Sequence, residues 1–513
     1  MTYVKTPAAT ETYLINPNIK KPIFALTMPA FVGYTEFAKD NMDDLTYKPK
    51  KISSMNEYVK YFGKAPDLMF DMDIIKLQAD KELDTPSPII FQLGIDVAED
   101  GNTENKSKYI FCVTGNTCHN LYYNVDMFFQ TGGKNCYIVS AGNYRDKIDK
   151  KALIQGIAEL KKVDEVNLIA IPEAIGLSNS NDFSQVQKSM LAHCGNDMKN
   201  RFALLDIYPD TEDGSGTDKM IETFWDGVGT EFLSYGAAFF PYINTNRLKT
   251  SDISNATITY NMGFLTYYNK FAEHDPTFAK TVQSLLDWDN QGSDDNAFHT
   301  ALLNASPMYR QAIQTVISKS NALPPSCMIA GLLSLVDSSH CSYREINKIP
   351  MCLYTSLLPT VNLDYSQISA LGNPANGKAI NIMYIECGGM VLSGARTLDC
   401  KSEYYSLISM RQLMIQIETS LKDFAKQFIH ETNTACTWEY IKTSIEFFLC
   451  HLWKDRLLKG RWPEEAFQVQ VGLGDTMVAD DIFNGFMRIK VMVAPTAPSK
   501  FLEIPITLEM GKS

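Results

Sequence analysis

The sequence predicts a mixed α/β protein with a doubly wound, largely parallel sheet in its middle, an α+β domain towards its C-terminus and an extended N-terminal arm. Three features point to this. Between Lys108 and Asn244, short runs that are apolar on both faces alternate with stretches of helical pattern, as buried parallel strands joined by crossover helices do. Beyond residue 376, two strand-like runs, two long amphipathic stretches and three further strand-like runs follow one another. The first 22 residues carry Pro7, Pro17 and Pro22 between short β-prone pieces, which suits an extended arm better than a helix.

Taken in order, a small β-rich region spans residues 23–104, and its end ELDTPSPIIFQLG runs into the polar loop AEDGNTENKSK, a domain boundary by composition. In residues 105–375, KYIFCVTG, KNCYIVSAG, VNLIAIPEA, RFALLDIYPD and SYGAAFFPYI read as buried strands. KKALIQGIAELKKVD places Leu153, Ile157 and Leu160 at helical spacing, and Asp182–His193 and Thr217–Leu233 are long enough for further crossover helices. Residues 245–320 are polar and irregular, the pattern of an insertion. In residues 376–513, INIMYIECGGMVLSGARTL reads as two strands around Gly388 and Gly389. Leu413, Ile417, Leu421, Phe424 and Phe428 form the stripe of one helix. Ile441, Ile445, Phe448 and Leu452 form that of a second, with Thr437 as N-cap and Gly460 as stop. AFQVQVG, GFMRIKVMVAP and FLEIPITLEM read as closing strands.

A chain of 513 residues has room for two to four domains, and 45% hydrophobic with 21% charged residues excludes a disordered tail protein. Lys and Arg number 47 against 59 Asp and Glu, a net charge of −12, which argues against nucleic acid or an anionic membrane as the main partner. Eleven scattered cysteines without a CxxC pair read as reduced thiols. The first residues lack a basic end followed by an apolar core, and windows such as Tyr235–Ile243 and Leu168–Leu177 are too short to span a membrane. The expectation is synthesis and assembly in the cytoplasm, with any outside role following lysis or incorporation into a larger particle.

A doubly wound sheet invites a nucleotide site, yet no GxGxxG or P-loop follows any strand; Gly472–Gly474 is only a GxG, and Asp213-Gly214-Ser215-Gly216 reads as a turn. The seven histidines include no HxH or HExxH, and His340-Cys341 and His274-Asp275 are neighbours that point apart, so neither a metal nor another cofactor is expected. No GxSxG elbow occurs. Ser334, Ser338 and Ser339 near His340 are the one crowded Ser/His cluster and define the alternative of an α/β serine hydrolase; Cys327 after Pro324-Pro325 reads as a buried thiol. Glu464-Glu465 and Asp480-Asp481 read as solvated pairs. No catalytic constellation stands, which favours a structural or interaction protein.

Several segments resemble the sheath proteins of contractile phage tails and contractile injection systems. CGGMVLSGARTL is similar to that family's glycine-containing hairpin with a GARTL-like run at Gly394–Leu398. Tyr404-Tyr405, a helix with Arg411 and Ile417–Leu421, the Phe428–Asn433 turn and Trp438 follow in the family's order. LLKGRWPEEAFQVQVG and VMVAPTAPSKFLEIPI resemble its glycine turn and closing strand pair, with Pro498 and Phe501 at matching places. Upstream, YYNVDMFFQTGGKNCYIVSAG matches through its aromatics and Gly132-Gly133. ALPPSCMIAGLLSLVD matches through Pro324, Pro325, Ser326, Ala330, Gly331 and Asp337. The chain departs from the pattern at Leu335, where the family often has Arg, at Tyr343-Arg344-Glu345-Ile346, and at Thr6-Pro7-Ala8-Ala9 in the arm.

The resemblance implies a subtilisin-like middle domain without protease activity, a C-terminal α+β domain near an inner tube, and terminal arms that add strands to the sheets of neighbouring copies. It implies a sheath subunit that polymerises helically and contracts to drive the tube outward, in an extracellular injection particle or, alternatively, a phage virion. The arms are assigned to residues 1–22 and 499–513, with Tyr3, Val4, Tyr13, Leu14, Ile15, Phe501, Leu502, Ile504, Ile506 and Leu508 as contact candidates. Lys422, Lys426, Glu439, Lys442 and Glu446 are the candidates for facing the tube. The expected partners are further copies of the chain, the tube protein, and baseplate and terminal cap proteins, with no nucleic acid and no membrane insertion.

Overall fold

The computed structural model describes residues 27–76, 89–98, 106–115, 119–209, 216–254, 257–271, 275–286, 297–338, 357–386, 389–495 and 501–510. The described chain falls into two compact units, Thr27–Ser402 with Ser406–Ser409, and Glu403–Tyr405 with Met410–Ser513.

The larger unit is built on an eight-stranded sheet. Its order is Gly389–Leu392, Ile380–Glu386, Gly236–Phe240, Phe202–Leu205, Leu168–Ala170, Pro29–Thr35, Cys136–Asn143 and Lys50–Ile52. The six inner strands are parallel, and an antiparallel strand closes each edge. Every residue of Pro29–Thr35, Leu168–Ala170, Phe202–Leu205 and Gly236–Phe240 is buried, as strands covered on both faces require. Ala30, Val32 and Tyr34 share one core with Leu153 and Ile157 of the helix Lys150–Glu159, Phe183, Val186 and Met190 of Ser180–Ala192, and Ile221 and Phe224 of Gly216–Val228. On the other face, Phe31 meets Phe128 of the helix Leu121–Gln130 edge to face at 5.2 Å, and the helix Ser326–Ser338 packs against that helix and the sheet.

Three placements differ from the sequence reading. The run KYIFCVTG is not in the main sheet. It is the strand Lys106–Gly115 of a separate four-stranded sheet ordered Ile258–Tyr260, Phe70–Lys76, Lys106–Gly115 and Ile89–Ala98. The helix Pro307–Asn321 covers this sheet, with Phe70, Phe111, Phe264, Phe278, Tyr309 and Val316 in one core. The strands Phe70–Lys76, Ile89–Ala98 and Lys106–Gly115 thus share one core with Ile258–Tyr260 and the helix Pro307–Asn321, and the pairing of Ile258 with Phe70 joins them across the chain. The strand Pro29–Thr35, assigned by sequence to the β-rich region, instead lies inside the main sheet between Leu168–Ala170 and Cys136–Asn143. The hairpin Ile380–Leu392 also belongs to the main sheet, so the sequence boundary at 376 falls before two strands of the larger unit.

The smaller unit carries most of the helix Ile408–Lys426, all of the helix Ala435–Lys454, and a three-stranded antiparallel sheet ordered Phe467–Val471, Phe486–Val493 and Leu502–Glu509. Leu413, Ile417, Leu421 and Phe424 are buried, as are Ile441, Ile445, Phe448 and Leu452. Phe428 lies beyond the last turn of the first helix and meets Phe424 edge to face, with ring centroids 5.0 Å apart. Thr434 rather than Thr437 holds the N-cap position of the second helix, without a side-chain capping hydrogen bond, and the helix stops at Lys454, before Gly460.

One buried carboxyl in the larger unit makes stability depend on pH. Asp206 ends the strand Phe202–Leu205 and accepts from Ser326 N at 3.0 Å and Ser326 Oγ at 2.7 Å, at the start of the helix Ser326–Ser338. Burial pushes its pKa up to about 7, against the lowering effect of those two hydrogen bonds. The folded state therefore holds this proton more tightly than the unfolded chain, so the contribution is full below about pH 4 and is lost as pH rises to about 7. In Asp206→Asn the amide keeps an acceptor for Ser326 and cannot ionise. The variant should gain on the wild type by up to about 1.4 kcal/mol per pH unit across that window, and the difference should level off above it. Thermal melts at a series of pH values check this; a difference independent of pH refutes it.

Candidate assembly surfaces

In doubly wound sheets, ligands bind outside the carboxyl ends of the strands where the strand order reverses. Here the reversal lies at Pro29–Thr35, whose neighbours Cys136–Asn143 and Leu168–Ala170 lie on opposite sides. The chain's own side chains fill this place. Glu173, fully buried, accepts from the backbone N–H of Asn120 and Leu121, both at 2.8 Å, and lies 2.7 Å from His119 Nδ1. The carboxylate thereby serves the unpaired donors at the start of Leu121–Gln130, as an anion at a helix N-terminus does. Gly33 allows this approach: a Cβ there would stand 3.0 Å from Leu121 Cβ and 3.1 Å from Glu173 Cβ.

The residues singled out as possible chemistry have structural roles. Ser334 is buried on the helix Ser326–Ser338, while the Ser338 side chain, Ser339 and His340 lie outside the described residues. Burial holds the Cys327 thiol well above its ordinary pKa, so the reactive thiolate is disfavoured. Gly472 and Gly474 take positive φ in the turn where Met477 N donates to Gly472 O. Glu465 accepts from Arg461 N at 2.8 Å, and Asp481 pairs with Arg488 at 2.9 Å. His274 and Asp213–Ser215 lie outside the described residues. No group of three or more His, Cys, Asp or Glu that could hold a metal occurs among the described residues. Nor is any helix among them long and apolar enough to cross a membrane.

The GARTL run has a clear physical role. Gly394 and Ala395 both take positive φ, turning the chain sharply out of the strand Gly389–Leu392. The buried Asn381 then grips the next residue from both sides. Arg396 N donates to its Oδ1 at 2.6 Å, and its Nδ2 donates to Arg396 O at 2.8 Å and to Ala238 O at 3.1 Å. Thr397 N donates to Ser406 O, Leu398 N donates to Gly236 O, and the Leu398 side chain enters the main core.

The terminal candidates divide. Tyr3, Val4, Tyr13, Leu14 and Ile15 lie outside the described residues. Phe501 and the strand Leu502–Glu509 do not form a free arm in the subunit. The strand pairs along its whole length with Phe486–Val493 of the same chain, and Ile504, Ile506 and Leu508 are buried while Phe501 is exposed. The alternation of FLEIPITLE supplies one apolar face, and that face covers the subunit's own sheet. Among the described residues the strand is nevertheless the edge of its sheet.

Among the charged candidates, Lys422 lies 4.0 Å from Glu418 and Lys426 lies 2.9 Å from Asp423, pairs along one exposed helix face. Glu439, Lys442 and Glu446 follow at helical spacing on Ala435–Lys454, and partial burial raises the Glu446 carboxyl above its ordinary pKa. The structure does not bring the two sets together as one described cluster. Exposed apolar groups escaped the sequence reading: Tyr440, Phe447 stacked on His451 at 4.3 Å, and Leu473, Val478 and Phe483 on the connection between Phe467–Val471 and Phe486–Val493. Phe483 is 88% exposed. A sequence signal existed, since Tyr440 and Phe447 fall off the buried stripe of Ile441, Ile445, Phe448 and Leu452.

No protein-family model matches the chain, and no curated protein matches its sequence. Solved structures do match. A chain of the contracted-state baseplate of the anti-feeding prophage aligns over 99% of this chain and 98% of its own, with 19% identity and a TM-score of 0.56. The contracted helical sheath of the same particle aligns over 98% and 97%, with 18% identity and a TM-score of 0.54. The contracted sheath complex of PVC, an extracellular contractile injection system, aligns over 98% and 97%, with 17% identity and a TM-score of 0.53. The chain has the fold of contractile sheath proteins from end to end.

The Asn381 grip generates a prediction. Asn381→Ala leaves Arg396 N, Arg396 O and Ala238 O without this partner in a buried setting. We expect a loss of about 2–4 kcal/mol, from roughly 1–3 kcal/mol for each unsatisfied buried group after partial relaxation. Denaturant unfolding together with faster amide exchange at Arg396–Leu398 would report it, and unchanged exchange there would show that the grip does not hold this segment.

Proposed function

We propose that this chain is the repeating subunit of a contractile sheath in an extracellular injection particle. One observation carries the reading: the likeness to contractile-sheath structures spans nearly the whole of both chains. The subunit acts as a structural body and not an enzyme, and the self-filled crevice around Glu173 agrees with that role. Copies polymerise helically around an inner tube, on a baseplate and beneath a terminal cap. They then move together to a shorter, wider arrangement that drives the tube outward. Assembly begins in the cytoplasm.

The larger unit, with a subtilisin-like arrangement of its main sheet, supplies rigid bodies whose new contacts release energy on contraction. The terminal segments link the copies. An extended arm adding to an open edge such as Leu502–Glu509 satisfies main-chain donors and acceptors whatever its side chains. Such a contact is heterologous, so it does not close and builds a helix. Because Ile504, Ile506 and Leu508 complete the subunit's own sheet, we assign linking to residues 1–22 and to the open edge of 502–509. The smaller unit faces the tube through Lys422, Lys426, Glu439, Lys442 and Glu446.

Three experiments test this. Purified subunit with its tube partner should give striated hollow cylinders by negative-stain electron microscopy. Deleting residues 1–22 should leave the thermal melt unchanged and abolish the cylinders; normal cylinders from the deletion remove the arm assignment. Deleting 499–513, in contrast, should unfold the smaller unit. It removes the buried side chains of Ile504, Ile506 and Leu508 and uncovers what they pack against, a loss on the order of 5 kcal/mol. Reversing the charges at Lys422 and Lys426, or at Glu439, Lys442 and Glu446, should weaken co-sedimentation with the tube. Unchanged binding would mean that these are ordinary solvated positions.

A further inference from the structure

Two exposed surfaces of the chain combine a large apolar group with charges that the fold leaves in water. The first is a hairpin of the larger unit, Lys39–Asp40 paired with Asp43–Asp44. Met42 at its tip is fully exposed, next to Asn41, whose φ is positive. Asp40 stands directly opposite Asp43, and like charges facing each other across a strand pair oppose its formation. Lys50 pairs with Asp40 at 2.7 Å and Lys39 stands opposite Asp44, so Asp43 is the carboxylate that no ion pair among the described residues uses. The hairpin is nonetheless held in place: Leu45 N donates to Ala38 O at 3.0 Å, and Asp44 accepts from Thr46 N at 2.9 Å.

The second lies in the smaller unit, just past the helix Ala435–Lys454. Arg456 N donates to Trp453 O at 2.9 Å and Leu457 N to Leu452 O at 3.0 Å, the two bonds that close a helix around a residue of positive φ. Glycine is favoured at that place because a side chain there is strained. Here it is Arg456, exposed, with φ at 61°. Further along the same loop Trp462 is 59% exposed, and the Arg461 guanidinium lies over its ring, 5.9 Å from the centroid. Glu465 accepts from Arg461 N at 2.8 Å, and no ion pair among the described residues uses the side chain of Arg456 or Arg461. Trp453 Nε1 donating to Gly460 O at 3.0 Å and Lys459 N donating to Ala494 O at 2.7 Å fix the loop.

We propose that the Met42 hairpin of one copy docks on the Trp462 loop of a second copy, with Met42 against the indole, Asp43 paired with Arg461, and Arg456 adding its charge. The match is double. A thioether and an aromatic ring attract each other, and a carboxylate fits the fork of a guanidinium. Met42, Asp43, Arg456, Arg461 and Trp462 are all exposed in the single chain, which leaves them to another copy. Because the two surfaces differ, the contact is heterologous and passes from copy to copy instead of closing a dimer. It rests on the sheath reading and adds to it a contact between folded bodies, separate from strand exchange by the termini.

The test compares full-length wild type, Asp43→Arg, Arg461→Asp and the double variant, by thermal melt alone and by pelleting and electron microscopy with the tube partner. Each single reversal should melt as wild type does and raise the critical concentration for assembly on the order of tenfold. The double variant, with the charges exchanged, should form cylinders at the wild-type concentration again. Met42→Ser should likewise weaken assembly without moving the melt. Arg456→Gly should separate the two readings, raising the melt by about 1–2 °C while weakening assembly. A single reversal that melts several degrees low would place its partner inside the subunit and overturn the proposal. Single reversals that assemble like wild type overturn it too, as does a loss with Arg461→Asp that Asp43→Arg does not repair, which would assign the loop to the tube or another partner. Absence of wild-type cylinders overturns the sheath reading and this inference with it.

Discussion

The larger unit depends on the burial of one strand, Pro29–Thr35. Every residue of it is buried, and it pairs in parallel with Cys136–Asn143 on one side and Leu168–Ala170 on the other. A parallel strand in this position must be covered on both faces, because its alternating side chains need apolar partners above and below. Ala30, Val32 and Tyr34 meet the helices of one layer, and Phe31 meets Leu121–Gln130 in the other. At Gly33 the strand lies so close to Leu121 and Glu173 that a Cβ there would meet the Cβ atoms of both. The crevice that other doubly wound proteins offer to ligands is thereby occupied from within.

The same economy governs how distant pieces of chain combine. The four-stranded sheet takes strands from residues 70–115 and 258–260 and covers them with a helix from 307–321. Asn381 and Gly236 hold the GARTL run against the main sheet across more than a hundred residues of chain in the second case. Buried amides and carboxylates take the places where backbone groups would otherwise lack partners: Glu173, Asp206, Asn321 and Asn381 each serve main-chain donors. Arg247 is the exception within this pattern: its Nε and Nη1 are buried without a hydrogen-bond partner among the described residues.

In the smaller unit, the long helices were legible because their apolar residues recur at helical spacing, and the same residues, Phe428 excepted, prove buried. Their ends were less legible. Thr434 and Thr437 are equally good caps by residue type, and only the path of the chain from Asn433 selects between them. The terminal strand shows a related ambiguity. Alternation in FLEIPITLE announces an apolar face, but the same pattern suits a strand lent to another copy and one that closes its own sheet.

By itself the sequence determined the α/β character, four of the buried parallel strands, the two amphipathic helices, the closing strands and the resemblance to contractile sheaths. These are written in local periodicity and short motifs, which neighbouring residues specify among themselves. Only the tertiary structure decided that Pro29–Thr35 lies inside the main sheet, that Lys106–Gly115 leaves it for another, that Phe70 and Phe111 share a core with Ile258 and Tyr309, and that Arg247 lies against the ring of Tyr123. Each of these depends on pairing between segments far apart in the chain. No local pattern encodes which of several equally apolar strands will lie beside which.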